Sequence, residues 1–476
     1  MKFIKFKKVS LLLSVAALSL SLIACGGGAS ETSTDASADS KVETPSEETA
    51  SEVVENDEAL EKVIEYYKSI EDEDYERTYN VMIPSYRDKV PYEVLEKFRS
   101  AVAKTYSTKF SDFEFVKEIE NHTDDYGNTY EKVRIYKFKR EERDFRYTKI
   151  HGEYSKPNNF ESEKTVVFEN GEWGTTFVDD LNALAFYTDY YDMISVCVPR
   201  EFKQDFAMGE NILFEDGGIF TVNGFRTSEG AGYSKPEEGN EFLIIDMSFA
   251  NLDQTEISFS SMMNFNLLDA QGNEYSQELG GDVYASFDGT ALPGHKLRGE
   301  IVYEVPKDLS AMLYLNFNPM FEDNLEETNI YLSGPDVVEA QPFVLSKAPG
   351  IQIGETVELS DRKITVNSYR TSKKDVLNRL SENHTYLVVN LTMENNSDEE
   401  FNSGVYLEFE AIDDRGYSHS RTVGGDSDSG FMDGIPVGES RTADVVFEIP
   451  EDAKHVGIQF KAMFSEDDTQ YFEIIN

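Results

Sequence analysis

The sequence predicts a multidomain chain in which an α+β domain is followed by two all-β sandwiches, and three observations carry that prediction. The first is a phrase that occurs twice. Residues 220–228 read Phe-Thr-Val-Asn-Gly-Phe-Arg-Thr-Ser and residues 364–372 read Ile-Thr-Val-Asn-Ser-Tyr-Arg-Thr-Ser, 144 positions apart. The second is that the same spacing continues without a gap. Leu243, Ile245, Met247 and Phe249 fall on Leu387, Val389, Leu391 and Met393, Asn251 on Asn395, and Asp269 and Gly272 on Asp413 and Gly416. Gly280-Gly281-Asp282 then meets Gly424-Gly425-Asp426, and Tyr303 to Pro306 meets Phe447 to Pro450. Agreement over so long a stretch means two copies of one domain. The third is that, ahead of the copies, apolar residues change from helical to alternating spacing near Phe113. With 476 residues, the chain has room for roughly three domains at about 150 residues each.

Residues 1–24 read as a signal. Lys2, Lys5, Lys7 and Lys8 form a basic start and Val9 to Leu20 an apolar run, followed by Leu22-Ile23-Ala24-Cys25. This stretch resembles a bacterial lipoprotein signal with its lipobox. The resemblance implies cleavage before Cys25, acylation of that cysteine and an extracytoplasmic, membrane-anchored location. A plain secretion signal or a membrane anchor is the alternative, although the apolar run is short against the ~20 residues that a spanning helix needs. Residues 25–56 are Gly, Ser, Thr, Ala, Asp and Glu with almost nothing apolar, and read as a disordered acidic tether spanning roughly 30 Å.

An α+β domain is expected over 57–180. Leu60, Val63, Ile64, Tyr67 and Ile70 repeat at helical spacing behind a cap at Asn56 or Asp57, and Tyr75 to Val81 continues as a short helix stopped near Pro84. Pro91 opens a third helix with Val94, Leu95, Phe98 and Val102 on its apolar face. Strands are expected around Phe113 to Ile119, Lys132 to Arg140 and Phe145 to Tyr154. A final hairpin joins Thr165–Phe168 to Trp173–Val178 through Asn170-Gly171, the pair that favours a type I′ turn. Helices first, then a meander closing on "ENGEWGTTFV", resembles the nuclear transport factor two-like cone. In that superfamily some members are enzymes and many are binding or spacer modules, so Tyr66, Tyr67, Tyr79, Tyr86 and His122 are the residues available to a cone interior. Residues 181–204 read as a connecting helix, apolar at Leu184, Tyr187, Tyr191, Ile194 and Val198 and ended by Pro199.

Each copy, 205–335 and 349–476, alternates apolar and polar residues between Gly- and Asn-rich turns, the pattern of a two-sheet sandwich, with 336–348 as a linker. In Leu387 to Met393 the odd positions face inward and Asn390 and Thr392 outward. The motif order "NLTMENNSDEEF", "DDRG", "PVGES" and "VVFEIP" resembles an immunoglobulin-like family of bacterial surface lipoproteins of unassigned function. The fold of that family is similar to a secreted immunoprotective mycobacterial antigen. The resemblance implies a fold and a location but no catalytic residue.

Composition narrows the partners. The formal charge is −46 and becomes −50 once the four signal lysines are removed. A nucleic acid partner needs clustered positive charge and is not expected. With Cys25 acylated, Cys197 has no partner for a disulfide. Its neighbours Met193, Ile194, Val196 and Val198 favour burial, with a reactive or intermolecular thiol as the alternative. Ser360-Asp361-Arg362-Lys363 has the spacing of a penicillin-recognising serine enzyme but lacks the companion elements and reads as chance. Asp426-Ser427-Asp428 begins like a calcium loop, yet Phe431 and Val437 stand where the EF-hand needs Gly and Glu. A looser divalent-cation site at Asp282 or Asp426 is the alternative to plain turn chemistry in the matched Gly-Gly-Asp turns. No histidine or cysteine spacing suggests zinc, and no cofactor is expected.

The reading is a lipid-anchored, non-enzymatic surface protein that uses its sandwiches for binding or spacing, with an envelope polymer or surface protein as partner. The rival is an enzyme or small-ligand carrier working inside the cone, marked by a deep cavity with a desolvated carboxylate or histidine. One basic stretch stands out. Arg370, Lys373, Lys374 and Arg379 lie within ten residues, where the first copy has only two positive charges and adds Glu229. The stretch either docks on an acidic neighbour of the same chain or contacts an anionic partner. If Cys25 carries the anchor, a Cys25→Ala variant leaves the detergent phase on phase separation and appears in the medium. Retention in the membrane fraction would reject the assignment.

Overall fold

The computed structural model describes residues 57–475 except 125–126, 179, 216–217, 231–233, 254, 279–282, 308, 310, 320–324, 342–349, 376–379, 403–407, 428–433 and 462–468. The expected signal, Cys25 and tether lie outside the described residues, as do Gly280-Gly281-Asp282, Arg379 and most of the linker. The chain divides into two compact units between Ser195 and Val196.

In the first unit α1 (Glu58–Glu71), α2 (Tyr75–Asn80), α3 (Pro84–Lys89) and α4 (Tyr92–Thr105) lead into β1 (Tyr106–Thr123) and β2 (Thr129–Asp144). Helix α5 (Phe145–His151), β3 (Asn158–Glu169), β4 (Glu172–Thr175) and α6 (Leu181–Ile194) follow. The strands form one antiparallel meander in the order β1-β2-β3-β4. Asp57 caps α1 by accepting from the Leu60 amide at 3.2 Å; of the face predicted from spacing Val63 and Tyr67 are buried, Leu60 and Ile70 half-buried and Ile64 exposed, and Tyr66 is buried beside them. Asn170 and Gly171 both take positive φ, 54° and 91°, as a type I′ turn requires.

Three local expectations are corrected. Pro84 starts a helix, α3, where its missing N–H leaves no bond unmade. Phe145 to His151 is helical. Asp144 caps it by accepting from the Arg146 amide at 2.8 Å, and Gly152, at φ 71°, closes it in the left-handed region. Helix α6 ends at Ile194, and Cys197 belongs to a strand of the second unit, where it is buried.

That unit starts with β5 (Cys197–Pro199), β6 (Asp205–Ala207), β7 (Asn211–Leu213), β8 (Gly218–Ser228) and β9 (Asn240–Asn251). It continues with β10 (Ile257–Phe259), α7 (Ser261–Asn264), β11 (Phe265–Asp269), β12 (Glu274–Tyr275), β13 (Gly289–Ala291), β14 (Lys296–Pro306), β15 (Leu313–Phe317) and β16 (Thr328–Tyr331). The second copy holds β17 (Thr356–Glu358), β18 (Arg362–Ser372), β19 (His384–Asn395), β20 (Phe409–Asp413) and β21 (Ser418–His419). It ends with β22 (Ser440–Pro450), β23 (Val456–Phe460) and β24 (Gln470–Ile475). Five of these strands, β8, β9, β11, β12 and β14, recur with both ends displaced by the 144-residue spacing as β18, β19, β20, β21 and β22. Even the bulge recurs, between Val222 and Gly224 and between Val366 and Ser368.

Each copy packs one sheet on another. In the first copy the sheets are β14-β9-β8-β7-β5 and β12-β11-β15-β16-β6; in the second they are β17-β18-β19-β22 and β21-β20-β23-β24. The added strands β5 and β6 run parallel to β7 and β16, so the first sandwich begins at Cys197 and not at 205. Each copy has its own core, Phe220, Phe249, Phe265 and Phe317 in the first and Val389, Leu391, Phe447 and Phe460 in the second. Along β19, Val389, Leu391 and Met393 are fully buried while Asn390 and Thr392 are only partly covered, the alternation predicted. Tyr386 and Val388 share the outer face of Asn390 yet are also buried. The Gly424-Gly425 turn lies on them so closely that a Cβ at Gly424 would sit 2.4 Å from the Tyr386 ring.

One buried side chain ties each copy together. The Asn395 amide donates to the Glu399 and Ile435 carbonyls, both at 2.8 Å, and its carbonyl accepts from the Ser397 N–H at 2.9 Å. Asn251 makes the same three bonds 144 positions earlier, to Thr255, Ala291 and Asp253. The turns after β11 and β20 are equivalent as well, with Asp269 accepting from Gln271 and Asn273 amides and Asp413 from those of Arg415 and Tyr417.

The copies also dock on each other. The Arg298 amide donates to the Gly416 carbonyl at 2.8 Å, the Arg415 guanidinium to the Tyr284 hydroxyl at 2.8 Å, and the Tyr284 and Tyr417 rings meet at 4.5 Å. At the other end of the contact Lys461 pairs with Glu256 at 3.1 Å and donates to Thr290 at 2.8 Å, while His295 lies 4.2 Å from the Tyr471 ring. Because Asn395→Ala strands two buried carbonyls and an amide, chemical denaturation of residues 196–476 should show a loss of about 3 kcal/mol. A loss within error of zero would mean that water or rearrangement replaces all three bonds.

Candidate functional site

The first unit contains a cavity of about 200 Å³ between α1, α4 and the sheet. Its walls are aromatic, with Tyr66 and Tyr67 from α1, Phe98 from α4, Phe138 from β2, Phe177 after β4 and Tyr191 from α6. Charged side chains share the lining, Glu71, Glu73 and Glu163 together with Arg99, Arg140, Glu142 and Lys164. Arg99 follows Leu95 by one helical turn on α4. Phe138, Arg140 and Glu142 are successive buried positions of alternating β2, and Lys164 lies on β3.

Two of the cations sit together. Arg99 donates to the Tyr66 hydroxyl at 2.5 Å and lies 4.6 Å from the centre of the Phe177 ring. Lys164 places its ammonium 4.3 Å from the centre of the Tyr66 ring and donates to the Thr176 carbonyl. Burial pushes the Lys164 ammonium down to about 7, and the positive charge of Arg99 pushes the same way. Glu142 is 3% exposed. Burial pushes its carboxyl up to about 7 despite Arg140, whose Nε lies 3.8 Å from Oε2, and Oε1 has no hydrogen-bond partner among the described residues. The Nε of Arg99 is buried and equally unpartnered. Unmet hydrogen-bonding capacity beside an aromatic-walled cavity is what a polar ligand would satisfy.

Of the tyrosines expected in the cone, Tyr66 and Tyr67 line the cavity. Tyr79 instead donates to the Arg87 and Val90 carbonyls at 2.9 and 3.0 Å, Tyr86 donates to Val178 at 3.1 Å, and His122 lies on the β1–β2 hairpin, outside the lining. The sequence reading passed over Arg99, Arg140, Glu142 and Lys164. The strand pattern held a signal for two of them, since Arg140 and Glu142 continue the inward phase of Phe138.

The basic stretch is engaged within its own sandwich. Arg370 bonds Asp444 at 2.8 Å across the sheet, as Arg226 bonds Glu300 at 2.5 Å in the first copy, while Lys373 pairs with Glu451 and Lys374 with Asp426 at 2.9 Å. Asp426, expected as a loose cation ligand, therefore already has a lysine on it. Arg362, within the chance serine motif, is buried between Asp361 at 2.7 Å and Glu408 at 2.5 Å. No group of three metal-ligating side chains occurs among the described residues.

Residues 216–327 and 351–469 each match a family described as a domain of unknown function (DUF4352). No curated protein matches. Among solved structures, an uncharacterized β-sandwich protein of Clostridium difficile 630 is 16% identical with a TM-score of 0.21, over 28% of this chain and 99% of its own. The yjhA protein of Bacillus subtilis is 17% identical with a TM-score of 0.20, over 26% of this chain and 98% of its own. The secreted protein MPT63 of Mycobacterium tuberculosis is 12% identical with a TM-score of 0.21, over 27% of this chain and 100% of its own.

The two shifted groups of the cavity act on stability in opposite directions. Glu142 titrates higher in the folded chain than its ordinary 4.5, so its contribution is complete below 4.5 and is lost as pH rises to about 7. Lys164 titrates lower than its ordinary 10.5, so its contribution is complete above 10.5 and is lost as pH falls to about 7. Glu142→Gln should therefore gain on the parent between pH 5 and 8, by up to about 3 kcal/mol, in thermal melts of the first unit's transition. Parallel curves for variant and parent would mean that Glu142 is hydrated.

Proposed function

We propose that this chain is a lipid-anchored, extracytoplasmic, non-enzymatic protein that holds two immunoglobulin-like sandwiches at a fixed spacing, so that they bind or bridge a partner of the cell envelope. The observation that carries this reading is the contact between the copies. Two domains with complete separate cores are nevertheless bonded to each other at both ends of their interface, through Arg298–Gly416 and Arg415–Tyr284 at one and Lys461–Glu256 at the other. A stiff pair presents a surface without the ordering cost that a flexible pair meets on binding. The family match to two domains of unknown function supports a binding or structural role over a named chemistry.

A second reading is favoured by the cavity. The first unit, in this proposal a nuclear transport factor two-like cone, holds a small ligand in an interior with desolvated Glu142 and Lys164, the feature that separates a carrier from a solid spacer. Small-angle scattering on residues 196–476 tests the first reading. The parent should give one narrow distance distribution, and an Arg415→Ala, Lys461→Ala double variant a broadened one with weaker binding to isolated envelopes. A parent that is already broad, or envelope binding that ignores the double variant, would count against fixed spacing.

A further inference from the structure

We propose that the cavity of the first unit takes a small organic monocarboxylate, with Arg99 and Lys164 receiving the carboxylate and the aromatic walls the apolar body; this rests on reading that cavity as a ligand site. Charge is the first argument. Arg99 and Lys164 approach the same two rings, Tyr66 and Phe177, and the contacts recorded for them are a tyrosine hydroxyl, a backbone carbonyl and ring faces. In a chain with 90 acidic and 44 basic residues, two neighbouring cations held by no carboxylate among the described residues are a costly arrangement unless an anion completes it. The buried, unpartnered Nε of Arg99 leaves a donor for that anion.

Size is the second argument. A dry apolar cavity of about 150 Å³ holds benzene, so about 200 Å³ suits one ring, or an aliphatic body of that size, with a carboxylate attached. The third is the acidic surround. Glu71, Glu73 and Glu163 also line the cavity, the first two exposed, and with buried Glu142 they oppose polyanions such as phosphates while leaving one charge tolerable beside two cations. Lys164 is faced by Arg99 from α4, Tyr66 from α1, and Thr176 and Phe177 after β4. Its ammonium is charged below about 7. Glu142 gains its own charge over the same range. Both changes weaken anion binding as pH rises.

The test is calorimetric titration of benzoate, benzyl alcohol and benzylammonium into the full chain in its soluble Cys25→Ala form. Benzoate should bind with one-to-one stoichiometry, more tightly at pH 6 than at pH 8.5, and benzyl alcohol about tenfold more weakly or less tightly still. Arg99→Gln and Lys164→Met should each lower benzoate affinity by about tenfold, with circular dichroism melts showing that both variants fold. Equal binding of benzyl alcohol, or benzoate binding untouched by both folded variants, overturns the carboxylate assignment while leaving a ligand cavity in place. Binding of none of the three probes to the folded parent overturns both.

Discussion

A buried asparagine holds each sandwich in register. Where β9 and β19 end, the chain leaves one sheet and crosses toward the other, and its backbone groups enter the interior without a strand to pair with. A single amide with two donors and one acceptor meets that need, and the backbone of the same residue completes it. The Asn251 N–H donates to His295 and its carbonyl accepts from Gly294, with Asn395, Glu439 and Gly438 in the same relation. Moving the strand by one residue would turn the amide to the opposite face and leave every one of these groups unmet. The equal strand ends, the shared bulge and the matching Asp turns of the two copies are the geometry that this one constraint permits.

The two units treat polar groups in contrasting ways. In the sandwiches several buried ions and amides are closed circuits, such as Arg362 between Asp361 and Glu408, although the buried Tyr303 hydroxyl has no hydrogen-bond partner among the described residues. In the first unit Glu142 and Arg99 keep buried atoms with no partner, beside rings that could have been packed without them. A fold that only had to be stable would fill this space with apolar side chains. The cavity is therefore a place where the sequence gives up local stability.

Legibility in the sequence followed the same division. Repetition made the sandwiches readable, because apolar alternation at Leu387 to Met393 and the turn residues Asp413 and Gly416 report local geometry directly. Phe145 to His151 was read as a strand because its alternation of large and polar residues mimics one, while the deciding Asp144 cap and Gly152 stop sit outside the run. The docking of the copies could not be read at all, since Arg298 and Gly416 are distant in the chain and neither is unusual where it stands. The cavity was half readable. Tyr67 lies on a predicted apolar face and Tyr66 is expected among the residues of the cone interior, but the charges of Arg99 and Lys164 look like solvated surface until the fold turns them inward.

The docking of the copies is head to tail. The second copy offers its Asp413–Gly416 turn, with Arg415 and Tyr417, to Arg298 and Tyr284 of the first. At the matching positions the first copy carries Gln271 and Asn273 on its own turn, and the second carries Thr442 and Asp428 in place of the receiving pair. Contacts of this heterologous kind join two different patches and, between identical units, close into rings or extend into open filaments. Here the side chains of the contact differ between the copies, Arg415 and Tyr417 on one turn against Gln271 and Asn273 on the other, so the order of the copies along the chain is part of the lock.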